Sequence, residues 1–390
     1  MRFFVVFLSI SLWAQMDVHV VDSFNANRVY HNDGTGTLID SGQMLGNDPT
    51  LSAAYGDLDG DLDIDLINGA DPGCRIYLND GNGGFPTVPN SIFEQDLAKV
   101  QSVAVADVDL DGDLDAILGV ATSQFTSQCQ IFLNDGNANF SFHFQFGNND
   151  TRAISVARIN NDAYPDIFEA NRLSNDRVWF NNGDGTFSDS GQDLDTFSSM
   201  SVALGDLNGD TFLDAFVALD GAPNKIWLND GLGVFSASPQ IFPTQNSLAV
   251  SLGDMNGDGS LDIVVGQDGA VNGDELEVWL NDGSGNFTLV NQNLPSDQTL
   301  GIALGDIDAD GVLDVLATNF GPDALYRNDG TGHLTRVQDL WPGMSWSGVM
   351  AYLSDSYPQA IANWSQPYTI ISLLQFKPQL KAETDHQRGR

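Results

Sequence analysis

Five stretches of this chain place side-chain oxygens at positions 1, 3, 5 and 9 of a nine-residue loop, a spacing suited to caging a hard cation. They are Asp57-Asp59-Asp61-Asp65, Asp107-Asp109-Asp111-Asp115, Asp206-Asn208-Asp210-Asp214, Asp254-Asn256-Asp258-Asp262 and Asp306-Asp308-Asp310-Asp314. A backbone carbonyl at position 7, on Asp63, Asp113, Phe212, Ser260 or Val312, would bring each set to about six oxygens. Many carboxylates with carbonyls, in a flexible loop, suit Ca²⁺; Mg²⁺ keeps its waters and demands strict octahedral geometry. Zinc would call for Cys or His, and neither joins the set. The sequence therefore predicts about five Ca²⁺ ions.

Three other readings of the loops fail. An EF-hand needs Glu at position 12, where this chain has Asn68, Leu118, Val217, Val265 and Ala317. A glycosidase needs one pair of carboxylates, and five equivalent sets in register do not look like one active site. Plain Asp/Gly turns do not explain agreement at four positions. A degenerate copy, Arg158-Asn160-Asp162-Asp166, has Arg at position 1, where its guanidinium could neutralise the neighbouring acids. No ion is expected there, nor at the last copy, Ser354-Asp355-Ser356-Tyr357-Pro358.

The loop starts lie 50, 51, 48, 48 and 52 residues apart, counting the copy at Arg158. A period near 50 signals a repeat architecture. Within one period Ser201–Leu204 reads as a short alternating strand, and Ala215–Leu219 as a continuously apolar one. Lys225–Leu228 is a third strand, and a fourth starts at Val234. An Asn-Asp-Gly turn at Asn229 joins the last two, and its residues tolerate the positive φ that hairpins require. The turn recurs at Asn32, Asn79, Asn134, Asn181, Asn281 and Asn328, with Asn182 in place of the Asp in the copy at Asn181.

Four strands per period without helical periodicity predict an all-β fold of four-stranded sheets, and radial packing of such sheets is a β-propeller. First strands rich in small residues belong at a crowded axis, and Phe and Trp fill the gaps between sheets. Seven first strands predict seven blades over residues 16–376. The apolar stretches Asp17–Val21 and Tyr368–Leu374 leave a split eighth blade as an alternative. The chain opens on a hairpin without a complete loop and ends on a first strand without a hairpin, so N- and C-terminal strands should pair and close the ring. Strands lie about 4.8 Å apart, so equivalent third strands of adjacent blades stand roughly 13 Å apart or more. Cys74 and Cys129 occupy such positions and should not be bonded, since a disulfide needs Cα atoms within about 7 Å.

Arg2 and the apolar run Phe3–Trp13 look like a secretory signal over residues 1–15, and residues 377–390 look like a polar tail. Eleven apolar residues are too few to span a bilayer. The net charge of -38, from 53 acidic and 15 basic residues, argues against nucleic acid and anionic membranes as partners.

Gly253-Asp254-Met255-Asn256-Gly257-Asp258-Gly259-Ser260-Leu261-Asp262 and Asn281-Asp282-Gly283-Ser284-Gly285-Asn286-Phe287 resemble the FG-GAP/VCBS repeats of integrin α-subunits and many exported bacterial proteins. Gly221-Ala222-Pro223 echoes the GAP element. The resemblance covers about residues 17–375. It implies a propeller, Ca²⁺ in the loop between the first and second strands, and roles in adhesion or ligand binding. The loops at Arg158 and Ser354 depart from the pattern. The expectation is a monomeric, secreted, periplasmic or cell-surface module that binds an extracellular glycan or protein. The alternative is a polysaccharide lyase on the same scaffold. No catalytic motif supports an enzyme, and the histidines (His19, His31, His143, His333 and His386) recur at no motif. Arg152, Arg158, Arg172 and Arg177 form a basic group in an acidic chain, most simply paired with nearby Asp.

Overall fold

The computed structural model describes residues 16–93, 99–121, 127–194, 197–269, 276–295 and 297–351. The signal-like segment 1–15, the degenerate loop at Ser354–Pro358, the stretch Tyr368–Leu374 and the tail 377–390 lie outside the described residues.

Twenty-five strands follow the repeat. The chain opens with β1 (Asp17–Asp22), β2 (Asn27–Asn32) and β3 (Leu38–Leu45). The first full unit is β4 (Thr50–Gly56), β5 (Asp65–Ala70), β6 (Cys74–Tyr77) and β7 (Ser91–Phe93). The second is β8 (Lys99–Ala106), β9 (Asp115–Ala121), β10 (Ser127–Asn134) and the first half of β11 (Phe140–Ala157). The second half of β11 begins the third unit, with β12 (Asp166–Arg172), β13 (Arg177–Asn181) and β14 (Phe187–Asp189). The fourth is β15 (Ser198–Gly205), β16 (Asp214–Pro223), β17 (Lys225–Asn229) and β18 (Phe235–Ala237). The fifth is β19 (Thr244–Gly253), β20 (Asp262–Gln267), β21 (Leu276–Asn281) and β22 (Phe287–Leu289). The sixth has β23 (Thr299–Gly305), β24 (Asp314–Asn328) as its second and third strands, and the start of β25 (Leu334–Ala351).

Neighbours within each unit pair antiparallel. The far half of β25 pairs with β1, setting Val18 opposite Met350 and Asp17 opposite Ala351. The expected pairing of N- and C-terminal strands is therefore present, and β25, β1, β2 and β3 form one sheet.

Second strands such as β5, β9 and β20 are buried along their whole length, which explains their unbroken apolar runs. Seven apolar clusters fill the gaps between successive sheets. One of them packs Val18 and Tyr30 of the opening hairpin against Ala303, Leu316 and Leu325 of the sixth unit. Another packs Val29 and Leu45 against Tyr55, Leu66 and Tyr77 of the first. Aromatic rings fill two gaps as expected: Phe242 touches Phe216 at 5.3 Å and Trp279 at 5.0 Å between ring centres, and Phe146 stands 5.1 Å from Trp179. The Gly before position 1 of the loop has a packing cause. A Cβ on Gly205 would lie 2.6 Å from Leu261 of the next unit, and one on Gly253 would lie 2.7 Å from Leu313.

Two side-chain devices recur between successive units. The turn Asn folds its own hairpin and reaches back to the preceding loop. Asn281 Oδ1 accepts from the Gly283 and Gly285 amides, while Nδ2 donates to Leu261 O and to Leu207 O of the preceding unit. Asn134 reaches Leu58 O, Asn181 reaches Val108 O, Asn229 reaches Ile159 O and Asn328 reaches Met255 O in the same way. Asn32 of the opening hairpin reaches Ile307 O, 275 residues away. On the outer strands, Gln192 clasps the next unit through Gly233 O and the Phe235 amide. Gln43 does so at Gly83 and Phe85. Gln338 does so at Leu38, linking the sixth unit to the opening hairpin.

The first strands share a further irregularity. In each, the pairing slips by one residue at the same place, leaving Leu51, Gln101, Arg152, Met200, Leu248, Leu300 and Trp346 as bulged residues. A bulge re-aims a side chain. All seven line one cavity of about 320 Å³ around which the seven first strands stand.

Asn281→Ala removes four hydrogen bonds, one of them across the gap between units. At about 1 kcal/mol each, the expected loss is on the order of 3 kcal/mol, read from the midpoint of urea denaturation. Asn82→Ala, an exposed turn position, is the control and should change stability by less than about 0.5 kcal/mol.

Candidate metal centres and the axial cavity

Each acidic loop leaves the end of a first strand and returns as the second strand. Position 1 does not simply face a ligand. Asp206 Oδ1 accepts from the Gly209 and Asp210 amides, and Oδ2 accepts from Thr211. Asp254 holds Gly257, Asp258 and Gly259 in the same manner. Asp57, Asp107 and Asp306 gather the amides of their own loops likewise. The wrap requires positive φ at positions 4 and 6. Gly60 and Leu62, Leu110 and Gly112, Gly209 and Thr211, Gly257 and Gly259, and Ala309 and Gly311 all adopt it. The sequence marked the glycines; the left-handed Leu62, Leu110, Thr211 and Ala309 carry no such mark.

Position 5 accepts the amide of position 7: Asp61 from Asp63, Asp111 from Asp113, Asp210 from Phe212, Asp258 from Ser260 and Asp310 from Val312. Position 9 is buried and acts as a staple. Asp65 Oδ2 accepts from the Leu58 amide in the loop, and Oδ1 accepts from the Asn79 amide at the turn. Asp115, Asp214, Asp262 and Asp314 bridge the same two places in their units. Burial lifts these carboxyls, opposed by the amides: Asp65, Asp115 and Asp314 to about 7, and Asp214 and Asp262 to about 6.

In the first two loops acids converge without a charge to balance them, at positions 1, 3 and 5 in one and 1, 3 and 9 in the other. Oxygens of Asp57, Asp59 and Asp61 lie within 4.8 Å of one another, as do those of Asp107, Asp109 and Asp115. Asp59 Oδ1 is buried without a hydrogen-bond partner. Burial and then the charge of Asp61 raise the Asp59 carboxyl above its usual range. An inward orphaned oxygen beside like charges fits a divalent cation. In the fourth and fifth loops Asn208 and Asn256 lower the charge and each donates to the position-5 acid, Asp210 or Asp258.

The sixth loop differs in a way the motif hides. Asp306, Asp308 and Asp310 also converge, but Arg327 enters among them. It pairs with Asp308, lies 3.9 Å from Asp314 Oδ2, and donates to Thr35 O and Gly36 O of the opening hairpin. The corresponding residues of the other units are Leu78, Leu133, Phe180, Leu228 and Leu280. One Arg in that apolar column is the signal that could have revealed it.

The degenerate loop has no residue with positive φ between Arg158 and Asp166 and no cage at position 1. Among the described residues Arg158 makes no ion pair with the loop's acids. Asp166 still staples the Ile159 and Asn181 amides. The other basic residues pair mostly as expected. Arg177 lies 2.7 Å from Asp193 and 3.7 Å from Asp189. Arg152 lies 3.0 Å from Asp150, which is also 4.0 Å from Arg172. Cys74 and Cys129 are free and buried.

Residues 57–118, 158–217, 206–265 and 254–317 match the FG-GAP-like repeat family, more than half of the chain, and the chain belongs to that family. No curated protein sequence matches it. Among solved structures it is similar to a lectin of Agrocybe aegerita that recognises non-reducing terminal N-acetylglucosamine, at 19% identity and a TM-score of 0.62, over 87% of this chain and 96% of that one. It is also similar to a periplasmic gluconolactonase of Pseudomonas aeruginosa, at 11% identity and a TM-score of 0.65, over 87% and 99%. A putative 6-phosphogluconolactonase of Bacteroides uniformis matches at 12% identity and a TM-score of 0.64, over 86% and 99%. Identities this low establish a shared propeller-like fold and nothing of activity.

Two outcomes are expected. A left-handed Leu costs roughly 1–2 kcal/mol, against about 0.5–1 kcal/mol for the chain entropy of Gly. Leu110→Gly should therefore stabilise the protein by on the order of 0.5 kcal/mol in urea unfolding. The position-9 carboxyls have folded pKa values above the unfolded 3.8. Their contribution is full below about pH 4 and is lost as pH rises through 6 to 7. In chelator, the unfolding midpoint should fall between pH 5 and pH 8; saturating Ca²⁺ should flatten the slope.

Proposed function

We propose that this chain is an exported, Ca²⁺-stabilised β-propeller of seven blades that serves as a ligand-binding module. The observation that carries the metal reading is the convergence of uncompensated carboxylate oxygens in preshaped loops, with the buried orphan on Asp59. The loops between Asp57 and Asp65, Asp107 and Asp115, Asp206 and Asp214, and Asp254 and Asp262 would hold the ions. Bound Ca²⁺ supplies charge balance and ties each loop's ends together, so binding stabilises the fold. Arg327 already balances the sixth loop, so a fifth ion must displace it.

The blade number is supported by seven first strands around one cavity and by seven clusters, each between successive sheets. Closure is supported by the β1–β25 pairing and by the reach of Asn32 and Gln338 across the two chain ends. Export is supported by the signal-like start, and short exposed loops suit calcium levels outside cells. No helix of the described residues is long and apolar enough to cross a membrane. A lectin-like role, for glycan or protein, fits a scaffold whose repeats carry structural rather than reactive groups.

Thermal melting with and without chelator tests the metal. Each site filled at a hundredfold excess over its Kd adds about 2.7 kcal/mol, so a large rise in melting temperature is expected. Elemental analysis should find four tightly held Ca²⁺, and Arg327→Leu should tighten the fifth. An unchanged melt together with no bound calcium rejects the reading. A glycan array in calcium tests ligand binding, and turnover of a bound polysaccharide would assign a lyase instead.

A further inference from the structure

At the bulged residues the repeat changes its chemistry around a shared cavity while keeping its geometry fixed. Flanking positions on the first strands are small or plain: Ser52 and Ala53, Ser102 and Val103, Ser201 and Val202. The bulged position itself runs Leu51, Gln101, Arg152, Met200, Leu248, Leu300, Trp346 around the axis. Six of these are half-buried, and only Leu51 is buried. A purely structural position would vary little, as the latch Asn and staple Asp do.

The variation has a direction. Gln101 and Arg152 are neighbours on one side, and Leu248, Leu300 and Trp346 lie across from them in blade order. Among the described residues Arg152 is the only charged side chain lining the cavity, in a chain of net charge -38. It gives one hydrogen bond, from Nη2 to Asp150, and its Nε is buried without a partner. Asp150 does not cancel the local charge, because Arg172 also approaches it. Lys99 stands close by as well: its ammonium is destabilised first by burial and then by the Arg152 charge, with Asp71 and Asp150 acting the other way. The Trp346 indole is fixed by a 3.1 Å bond to Ser23 Oγ. A guanidinium with free donors reads a planar oxyanion in two bonds, and a mostly apolar cavity with few convergent polar groups is the usual form of a small-ligand site.

We propose that the bulge ring at the axial cavity binds an oxyanion, carboxylate or phosphate, borne on a body with an apolar or ring face, with Arg152 and Gln101 holding the anion and Leu248, Leu300 and Trp346 the body. A cavity of about 320 Å³ admits a small molecule or one terminal unit of a polymer. The site rests on the ligand-binding reading above and gives it a location and a ligand chemistry.

The experiment titrates the full chain in calcium with D-glucuronate, glucose 6-phosphate and D-glucose, by calorimetry and tryptophan fluorescence. One of the two anions should bind and change the fluorescence, with glucose weaker by roughly tenfold or more; which anion binds separates carboxylate from phosphate. Arg152→Gln should weaken binding by roughly tenfold or more, and Arg152→Lys by less. Leu300→Asp, which keeps Arg152 but sets a negative charge across from it, should also lose the anion. Arg177→Gln should bind as the parent does, and unchanged melting temperatures certify folding. Failure of both anions to bind, or full binding by folded Arg152→Gln and Leu300→Asp, overturns the proposal. A glycan-array ligand retained by those variants would place recognition elsewhere and leave the module reading standing, whereas an array without any ligand would sink that reading too.

Discussion

A buried carboxylate that accepts two backbone amides holds this architecture together. At position 9 of every described loop, including the degenerate one, an Asp takes one amide from the loop and one from the turn Asn of the same sheet. That Asn then spends its side-chain amide on the carbonyl beside the preceding loop's own staple. The geometry of each loop is thereby coupled to the hairpin of the next unit. Polar groups at the ends of four strands, costly to bury unpaired, are satisfied in one repeated arrangement.

The same staple explains why the acids separate into two kinds. Position 9, bonded to an amide through each of its oxygens, ties loop to turn without help. Position 1 shapes the loop but stays crowded with the acids at positions 3 and 5, which is where a cation has something to do. The third loop has discarded the wrap yet kept its staple, Asp166, with its carboxyl raised by burial to about 6. Stapling and caging are thus separable functions of one motif. Arg327 makes the same point at the sixth loop, where an internal guanidinium lies among the acids and is at the same time bonded to the hairpin that opens the chain.

Much of this was legible in the residues. The period, the four strands, the small-residue first strands at the axis and the pairing of the chain ends all follow from pattern, because each depends on local chemistry repeated many times. What pattern could not supply is long-range. The partner of Asn281 is Leu207 O, 74 residues away, and a carbonyl carries no residue type to read. Gln192 falls five residues after Phe187, as Gln240 and Gln292 fall after Phe235 and Phe287, yet the clasp is visible only once neighbouring sheets are set side by side. The bulges were hidden for a different reason. A single extra residue in a strand looks like any other member of an apolar run, so Arg152 read as one of a basic group, not as a residue aimed at the axis.

The latches all point one way. Six turn Asn residues reach the unit before them, so these contacts between sheets are head-to-tail, the kind of interface that generates a ring or an open filament depending on its rotation. Between most units the chain itself enforces the order. Between the sixth unit and the opening hairpin, Asn32, Gln338, Arg327, the β1–β25 pairing and the apolar cluster around Val18 and Tyr30 do so. A second copy of this chain carries the same hairpin with the same complementarity. Within one chain the two ends lie side by side, and any exchange of hairpins between copies would have to compete with that pairing.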